Sequence, residues 1–467
     1  MFVEKIVSDG ISHNSYFVGD NGEGCIFDPK RDIDSYLEIA DNTCSKITFV
    51  FETHRNEDYI IGSKELERLT DCKIIHGNLN FGYGETASEG NIFKIGDSWL
   101  EVLETPGHSP ESLSYVLYQK GIPWAVFTGD ALFYSSVGRI DLFGKDKSEE
   151  FAFVLYDSLH MRLLTLGNHV IIYPAHGPGT LCGSEIADIP ISTIGYELET
   201  NPLLDLPKAK FIEMKKEESI PLPPYFAKMA DENLKGPNLI DLKRIEPLNV
   251  SKFSQIINHS KMLLNHSKML SNHSKMPSSD CIILDIRSPQ SFASGHIADS
   301  YNIWLEGLVK FAGWVIGYDK DILLVSERDE DVRIAIINLM RIGYERIKGY
   351  LCGGIYDWQN KGMHLEQSGV ETVDNLYEKL KEKKDVFLLD VRWIKEYKSG
   401  HIPHAVNIYI GELENRLNEI PSNRPIISIC STGNRSGLGV SILKRHGYDN
   451  VSNLLGGMIA WKEKRDL

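Results

Sequence analysis

Short apolar runs alternate with amphipathic stretches along the whole chain. In the first half, Ser15–Val18 and Gly24–Pro29 read as strands closed by turn residues. Ile47–Phe51, Trp124–Phe127 and Val170–Tyr173 are apolar runs of strand length and predict buried strands. Each delivers a residue that can bind a metal or move a proton: Thr53-His54, Thr128-Gly129-Asp130 and Pro174-Ala175-His176-Gly177. Loops held at the ends of a rigid sheet are where functional side chains concentrate.

From about residue 241 strands alternate with helical stretches, which predicts small parallel α/β domains. Two copies of one pattern stand 105 positions apart. Leu284-Asp285-Ile286-Arg287 leads to Ser294-Gly295-His296-Ile297, and Leu389-Asp390-Val391-Arg392 leads to Ser399-Gly400-His401-Ile402. Each copy runs on into an apolar strand, Ile322–Val325 or Ile426–Ile429. There they diverge. The second continues Cys430-Ser431-Thr432-Gly433-Asn434-Arg435-Ser436, the first Ser326-Glu327-Arg328-Asp329-Glu330-Asp331. One copy carries a thiol, a glycine and an arginine; the other carries a hydroxyl and four acids. Residues 205–240, rich in Pro, Lys and Glu, read as an arm or linker. The predicted domains are 1–240, 241–368 and 369–467.

A length of 467 residues is too great for one core. The net charge of −15 argues against nucleic acid or an anionic membrane as the main partner. No apolar run approaches the ~20 residues of a membrane span, and Met1-Phe2-Val3-Glu4-Lys5 does not begin like a signal peptide. Seven scattered cysteines do not form a disulfide framework, so the reducing cytoplasm is the expected compartment. Asn258-His259-Ser260-Lys261-Met262 recurs at 265–269 and 272–276. With no Cys or carboxylate beside the histidines, this reads as a surface duplication and not a metal site.

Cys430 follows a buried strand, and Leu438, Ile442 and Leu443 at helical spacing predict a helix over 436–445. Loop N–H groups and the helix N-terminus would then converge on the sulfur, favouring a thiolate and an anionic persulfide. Arg435 and Arg392 are placed to bind an anionic sulfur donor. The second repeat resembles the rhodanese family. Its C-x4-R loop, Cys430 to Arg435, is one residue shorter than that of the related phosphatases, which implies sulfur transfer through Cys430 and Arg435 within the anion-binding loop Ser431, Thr432, Gly433, Asn434 and Ser436. Aligning Gly343-Tyr344 with Gly447-Tyr448 sets Ser326 opposite Cys430 and Asp331 opposite Arg435. Serine cannot carry a persulfide, so the first repeat reads as an inactive rhodanese-like domain that packs or positions the others. Cys281 and Cys352 read as core packing.

In the first domain His54, Asp58, His108, Asp130 and His176 stand in the order Thr53-His54-x-x-x-Asp58, Thr105-Pro106-Gly107-His108, Gly129-Asp130, Ala175-His176. This order resembles the metallo-β-lactamase superfamily, which implies an N-terminal αββα sandwich ahead of the two parallel-sheet α/β domains. The family's H-x-H-x-D-H motif reads here His54-Arg55-Asn56-Glu57-Asp58-Tyr59, so Asn56 and Tyr59 replace one ligand of each metal. His54, His108 and Asp130 survive as two imidazoles and one carboxylate, a set that suits non-haem Fe(II). In the persulfide dioxygenases of the superfamily the matching positions hold iron, and Gly138-Arg139-Ile140-Asp141-Leu142 looks like that branch. Asp58 and His176 would orient the ligands by hydrogen bonds. Tyr59 either reaches into the vacated second-metal space or only walls it.

The order of domains resembles bacterial persulfide dioxygenase–rhodanese fusion proteins. It implies oxidation of a thiol persulfide to sulfite at one Fe(II) per chain, coupled to sulfane-sulfur exchange through Cys430. The small-molecule partners would be a thiol persulfide, thiosulfate or sulfite, and a homo-oligomer (dimer or tetramer) is expected. Two alternatives stand beside this reading: a zinc-dependent thioester hydrolase of the hydroxyacylglutathione hydrolase type, and a non-catalytic persulfide carrier or sensor.

Overall fold

The computed structural model describes residues 1–8, 10–218, 220–240, 245–270 and 281–465. The chain divides into two compact units, Met1–Ile240 with Met340–Gly343, and Asp241–Leu339 with Tyr344–Leu467.

Among the described residues, the first unit holds two six-stranded sheets. In one, Phe2–Ser8, His13–Asp20 and Glu23–Phe27 run antiparallel, and Lys46–Phe51 and Lys73–His76 continue in parallel. In the other, Ser98–Glu104, Leu113–Gln119 and Ile122–Gly129 run antiparallel, and Ile171–Pro174 pairs in parallel with Ile122–Gly129. Tyr16, Phe27 and Phe51 of the first sheet pack on Leu100, Tyr115 and Phe127 of the second. Phe27 and Phe127 stack with ring centroids 3.7 Å apart. Outside the first sheet lie Tyr36, Ile39 and Leu66 of helices Asp34–Thr43 and Ser63–Thr70. Outside the second lie Leu155, Leu159 and Phe211 of helices Ser148–Met161 and Lys208–Glu217. The layers therefore run helix, sheet, sheet, helix. The strands read as continuous apolar runs because both their faces are covered.

The expected arm at 205–240 folds into the unit instead. It contains helices Lys208–Glu217 and Phe226–Lys235, and Phe211, Phe226 and Met229 are buried. A few well-spaced apolar residues anchor each helix despite the high content of Pro, Lys and Glu.

The second unit contains two five-stranded sheets with all pairs parallel and the same strand order. The central strands are Asp321–Val325 and Ile426–Ile429, each followed by a helix, Asp329–Arg341 or Asn434–Arg445. The repeats touch within this unit. Tyr301 donates to Glu414 at 2.8 Å, the Asn302 amide donates to Ser441 Oγ at 3.0 Å, and the rings of Trp314 and Tyr409 lie 5.2 Å apart. Helix Val250–Leu270 takes in the first two copies of the Asn-His-Ser-Lys-Met repeat, and the third lies outside the described residues. No helix among the described residues is long and apolar enough to cross a membrane.

Candidate metal centre and sulfur-transfer loop

The parallel strands of the two sheets deliver the candidate ligands at one end. His54 follows Lys46–Phe51, Asp130 follows Ile122–Gly129 and His176 follows Ile171–Pro174, while His108 sits in the turn after Ser98–Glu104. The turn into Asp130 needs a glycine: Gly129 has φ +52, and a Cβ there would stand 2.6 Å from Thr53 Oγ1.

His54, His108, Asp130 and His176 are all buried. Asp130 Oδ2 lies 3.6 Å from His54 Nε2 and 3.5 Å from His108 Nε2. The far nitrogens are fixed. His108 Nδ1–H donates to the Arg139 carbonyl at 3.0 Å, and His54 Nδ1 bonds Thr53 Oγ1 at 2.9 Å. Thr53 in turn donates to Asp28 Oδ2 at 2.8 Å. Each imidazole thus turns Nε2 toward Asp130, as a metal ligand must. Burial pushes His108 down to about 3, so it stays neutral and can offer a lone pair. Burial opposes charge on Asp130, but His176, hydrogen-bonded to it at 2.7 Å, outweighs burial and holds the carboxyl well below the usual range.

His54 Nε2, His108 Nε2 and Asp130 Oδ2 have no hydrogen-bond partner although all are buried. Orphaned buried polar atoms are costly. Metal bonds of ~2.1 Å set tetrahedral ligand atoms ~3.4 Å apart, close to the observed separations. The residues present therefore fit a metal ion.

His176 lies between two carboxylates, with Nδ1 2.7 Å from Asp130 Oδ1 and Nε2 3.0 Å from Asp58 Oδ2. Burial alone would lower its pKa, but Asp130 and Asp58 raise it well above the ordinary value. Tyr59 is fully buried; its hydroxyl lies 2.8 Å from His13 Nε2 and 3.3 Å from the Asp28 carbonyl. Asn56 donates to the His54 carbonyl. Sequence reasoning missed Asp28, His13, Glu57 and Cys182. Ligand atoms of Asp58, His176 and Cys182 lie within 4.8 Å of one another, as do those of His54, Glu57 and His108. Arg139, in the Gly138–Leu142 run, holds Asp141 through two hydrogen bonds while its carbonyl orients His108.

In the second unit Cys430 directly follows the central strand Ile426–Ile429 and is 1% exposed. Gly433, with φ +108, precedes helix Asn434–Arg445, and its amide donates to the sulfur at 3.1 Å. The Ser436 hydroxyl lies 3.3 Å from the sulfur and 2.6 Å from Asn453 Oδ1. One loop amide and the Ser436 hydroxyl thus meet the sulfur just ahead of helix Asn434–Arg445. Thr432 is exposed at the loop tip, and Asn434 opens the helix.

The arginines differ from expectation. Arg435 bonds both oxygens of Glu396 at 2.7 Å and Ser431 Oγ at 2.9 Å. Arg392 is buried and bonds Asp390 at 2.7 Å and the Gly400 carbonyl at 2.9 Å, so it braces the chain instead of facing an anion. Arg287 makes the same contacts to Asp285 and the Gly295 carbonyl, which explains why both repeats carry the pair.

Ser326 occupies the equivalent strand end, buried, with its hydroxyl unpartnered. Asp329, Glu330 and Asp331 fill the first turn of helix Asp329–Arg341. These acids take the positive helix end that an anion would use. Cys281 packs against the core, but Cys352 does not: it is partly exposed, with its sulfur 3.8 Å from Asp329 Oδ2.

The metallo-beta-lactamase superfamily model matches residues 8–176, and the rhodanese-like domain model matches 268–361 and 372–464. Mouse (Mus musculus) persulfide dioxygenase ETHE1, mitochondrial, is 28% identical over 218 residues, 45% of this chain and 78% of that protein. A sulfurtransferase of Allochromatium vinosum is 36% identical over 88 residues, 19% of this chain and 82% of that protein. The crystal structure of a metallo-beta-lactamase from Staphylococcus aureus covers 75% of this chain and 98% of its own, with a TM-score of 0.63 and 28% identity. The chain thus joins an N-terminal metallo-beta-lactamase domain to two C-terminal rhodanese-like domains.

Proposed function

We propose that the chain oxidises a low-molecular-weight thiol persulfide to sulfite at a mononuclear iron centre and exchanges sulfane sulfur through Cys430. Its likeness to a persulfide dioxygenase and to a sulfurtransferase supports an enzyme of sulfur metabolism. The observation that carries the finer reading is the convergence of three unpartnered buried atoms, His54 Nε2, His108 Nε2 and Asp130 Oδ2. Two imidazoles and one carboxylate suit ferrous iron and leave positions for substrate and O₂.

A ferrous ion held there would supply redox chemistry toward O₂ and a Lewis-acid site for sulfur. The overall reaction balances as RSSH + O₂ + H₂O → RSH + SO₃²⁻ + 2H⁺. Thr53 and the Arg139 carbonyl hold the imidazoles in the ligating orientation, and His176 ties Asp130 to Asp58. At the other site the Cys430 thiolate attacks the outer sulfur of thiosulfate, forming a Cys430 persulfide and releasing sulfite. The Gly433 amide and the helix N-terminus stabilise the anionic sulfur.

The test is metal analysis after anaerobic purification, followed by O₂ consumption with a thiol persulfide. The reading expects about one iron per chain and sulfite as product. Zinc with thioester hydrolysis and no O₂ uptake would overturn it in favour of a hydrolase; metal without any turnover would favour a carrier or sensor.

A further inference from the structure

We infer that Glu57 is a fourth protein ligand of the metal at His54, His108 and Asp130. This deepens the metal-centre reading and rests on it. Glu57 is 3% exposed. One carboxylate oxygen, Oε1, takes the Arg55 guanidinium at 2.8 Å. The other, Oε2, has no hydrogen-bond partner and stands 4.0 Å from His108 Nε2. Ligand atoms of His54, Glu57 and His108 all lie within 4.8 Å of one another.

A buried carboxylate oxygen left unpaired is expensive. Among the described residues it shares this state with His54 Nε2, His108 Nε2 and Asp130 Oδ2, the atoms that converge on the candidate metal position. A cation against the two imidazole Nε2 atoms would give the Glu57 oxygen the partner it lacks. The chain gives up an imidazole at Asn56 and supplies a carboxylate one residue later.

The consequence is selectivity by coordination number. A four-coordinate tetrahedral zinc would be closed by these ligands. A six-coordinate iron would keep two positions, enough for one sulfur and one O₂.

The test uses the full-length protein stripped of metal and titrated with Co²⁺ and with Zn²⁺ against a competing chelator. Glu57→Gln and Glu57→Ala are compared with wild type and with Arg55→Met, which removes the ion pair but keeps the carboxylate. Affinity in the Glu57 variants is expected to fall at least about tenfold, with a changed Co²⁺ visible spectrum. Arg55→Met should keep the wild-type spectrum. Near-UV circular dichroism checks the fold; if neither variant folds, Glu57→Asp, which withdraws the oxygen by one methylene, decides by the same measurements. Wild-type affinity and spectrum in a folded Glu57 variant overturn the inference alone. If wild type itself binds no metal, the metal-centre reading falls with it.

Discussion

Glu396 grips Arg435 through two parallel hydrogen bonds of 2.7 Å, Nη1 to Oε2 and Nη2 to Oε1. The guanidinium beside the Cys430 loop is therefore already paired with a carboxylate, and an incoming thiosulfate meets a neutralised arginine. Glu396→Gln should restore net positive charge at the loop and lower the KM for thiosulfate by about three- to tenfold. Steady-state sulfur-transfer kinetics at low and high salt check this. An unchanged KM would mean that Arg435 does not meet the donor.

Cys430→Ser should abolish the gain of one sulfur atom after incubation with thiosulfate, read by intact-protein mass spectrometry. Adding Ser326→Cys to that variant should not restore it. Asp329 lies in the first turn of the first-repeat helix and accepts from the Gly353 amide, so carboxylate already occupies the anion position. Equal sulfur uptake by the double variant would show that a thiol at that strand end is sufficient.

His54→Ala, His108→Ala and Asp130→Ala should each lose metal and O₂ consumption while the mass gain at Cys430 persists, because the two chemistries sit in separate compact units. Chelation of the metal should have the same selective effect. Loss of both activities together would mean that the first unit supports the fold of the second.

Thr53 links His54 to Asp28. Thr53→Val keeps the shape but strips both groups of a buried partner. Metal affinity should fall about 10- to 100-fold, and stability by about 1–3 kcal/mol. Chelator competition and chemical denaturation measure the two effects separately; a variant with wild-type affinity would show that the hydroxyl does not orient His54.

Trp314 of the first repeat packs its ring edge on Tyr409, which stacks on Trp393 at 3.7 Å. Tyr409 also lies near enough to feel the charge of Arg435. Trp314→Ala should cost about 1–3 kcal/mol and lower sulfur transfer at Cys430, although no residue of the thiol loop is touched. Unaltered kinetics would deny the first repeat a positioning role.

The repeat spacing, the buried strands and the His or Asp at their ends were legible in the chain because they depend on local periodicity. A parallel strand covered on both faces must be apolar, and its C-terminal end must turn, so Cys430, His54, Asp130 and His176 announce themselves. Pairing is different. Whether Arg392 faces an anion or braces Asp390, whether Arg435 is free or held by Glu396 from 39 positions away, and which carboxylate oxygen remains unpaired all depend on side-chain reach across the fold. The helices at 208–235 were hidden for a related reason: their few apolar residues gain meaning only when a sheet is there to cover them. Residue types and periodicity determined which chemistry the chain carries; only the tertiary structure decided how those groups are paired, because hydrogen bonds and ion pairs are set by angstrom-scale distances between segments remote in sequence.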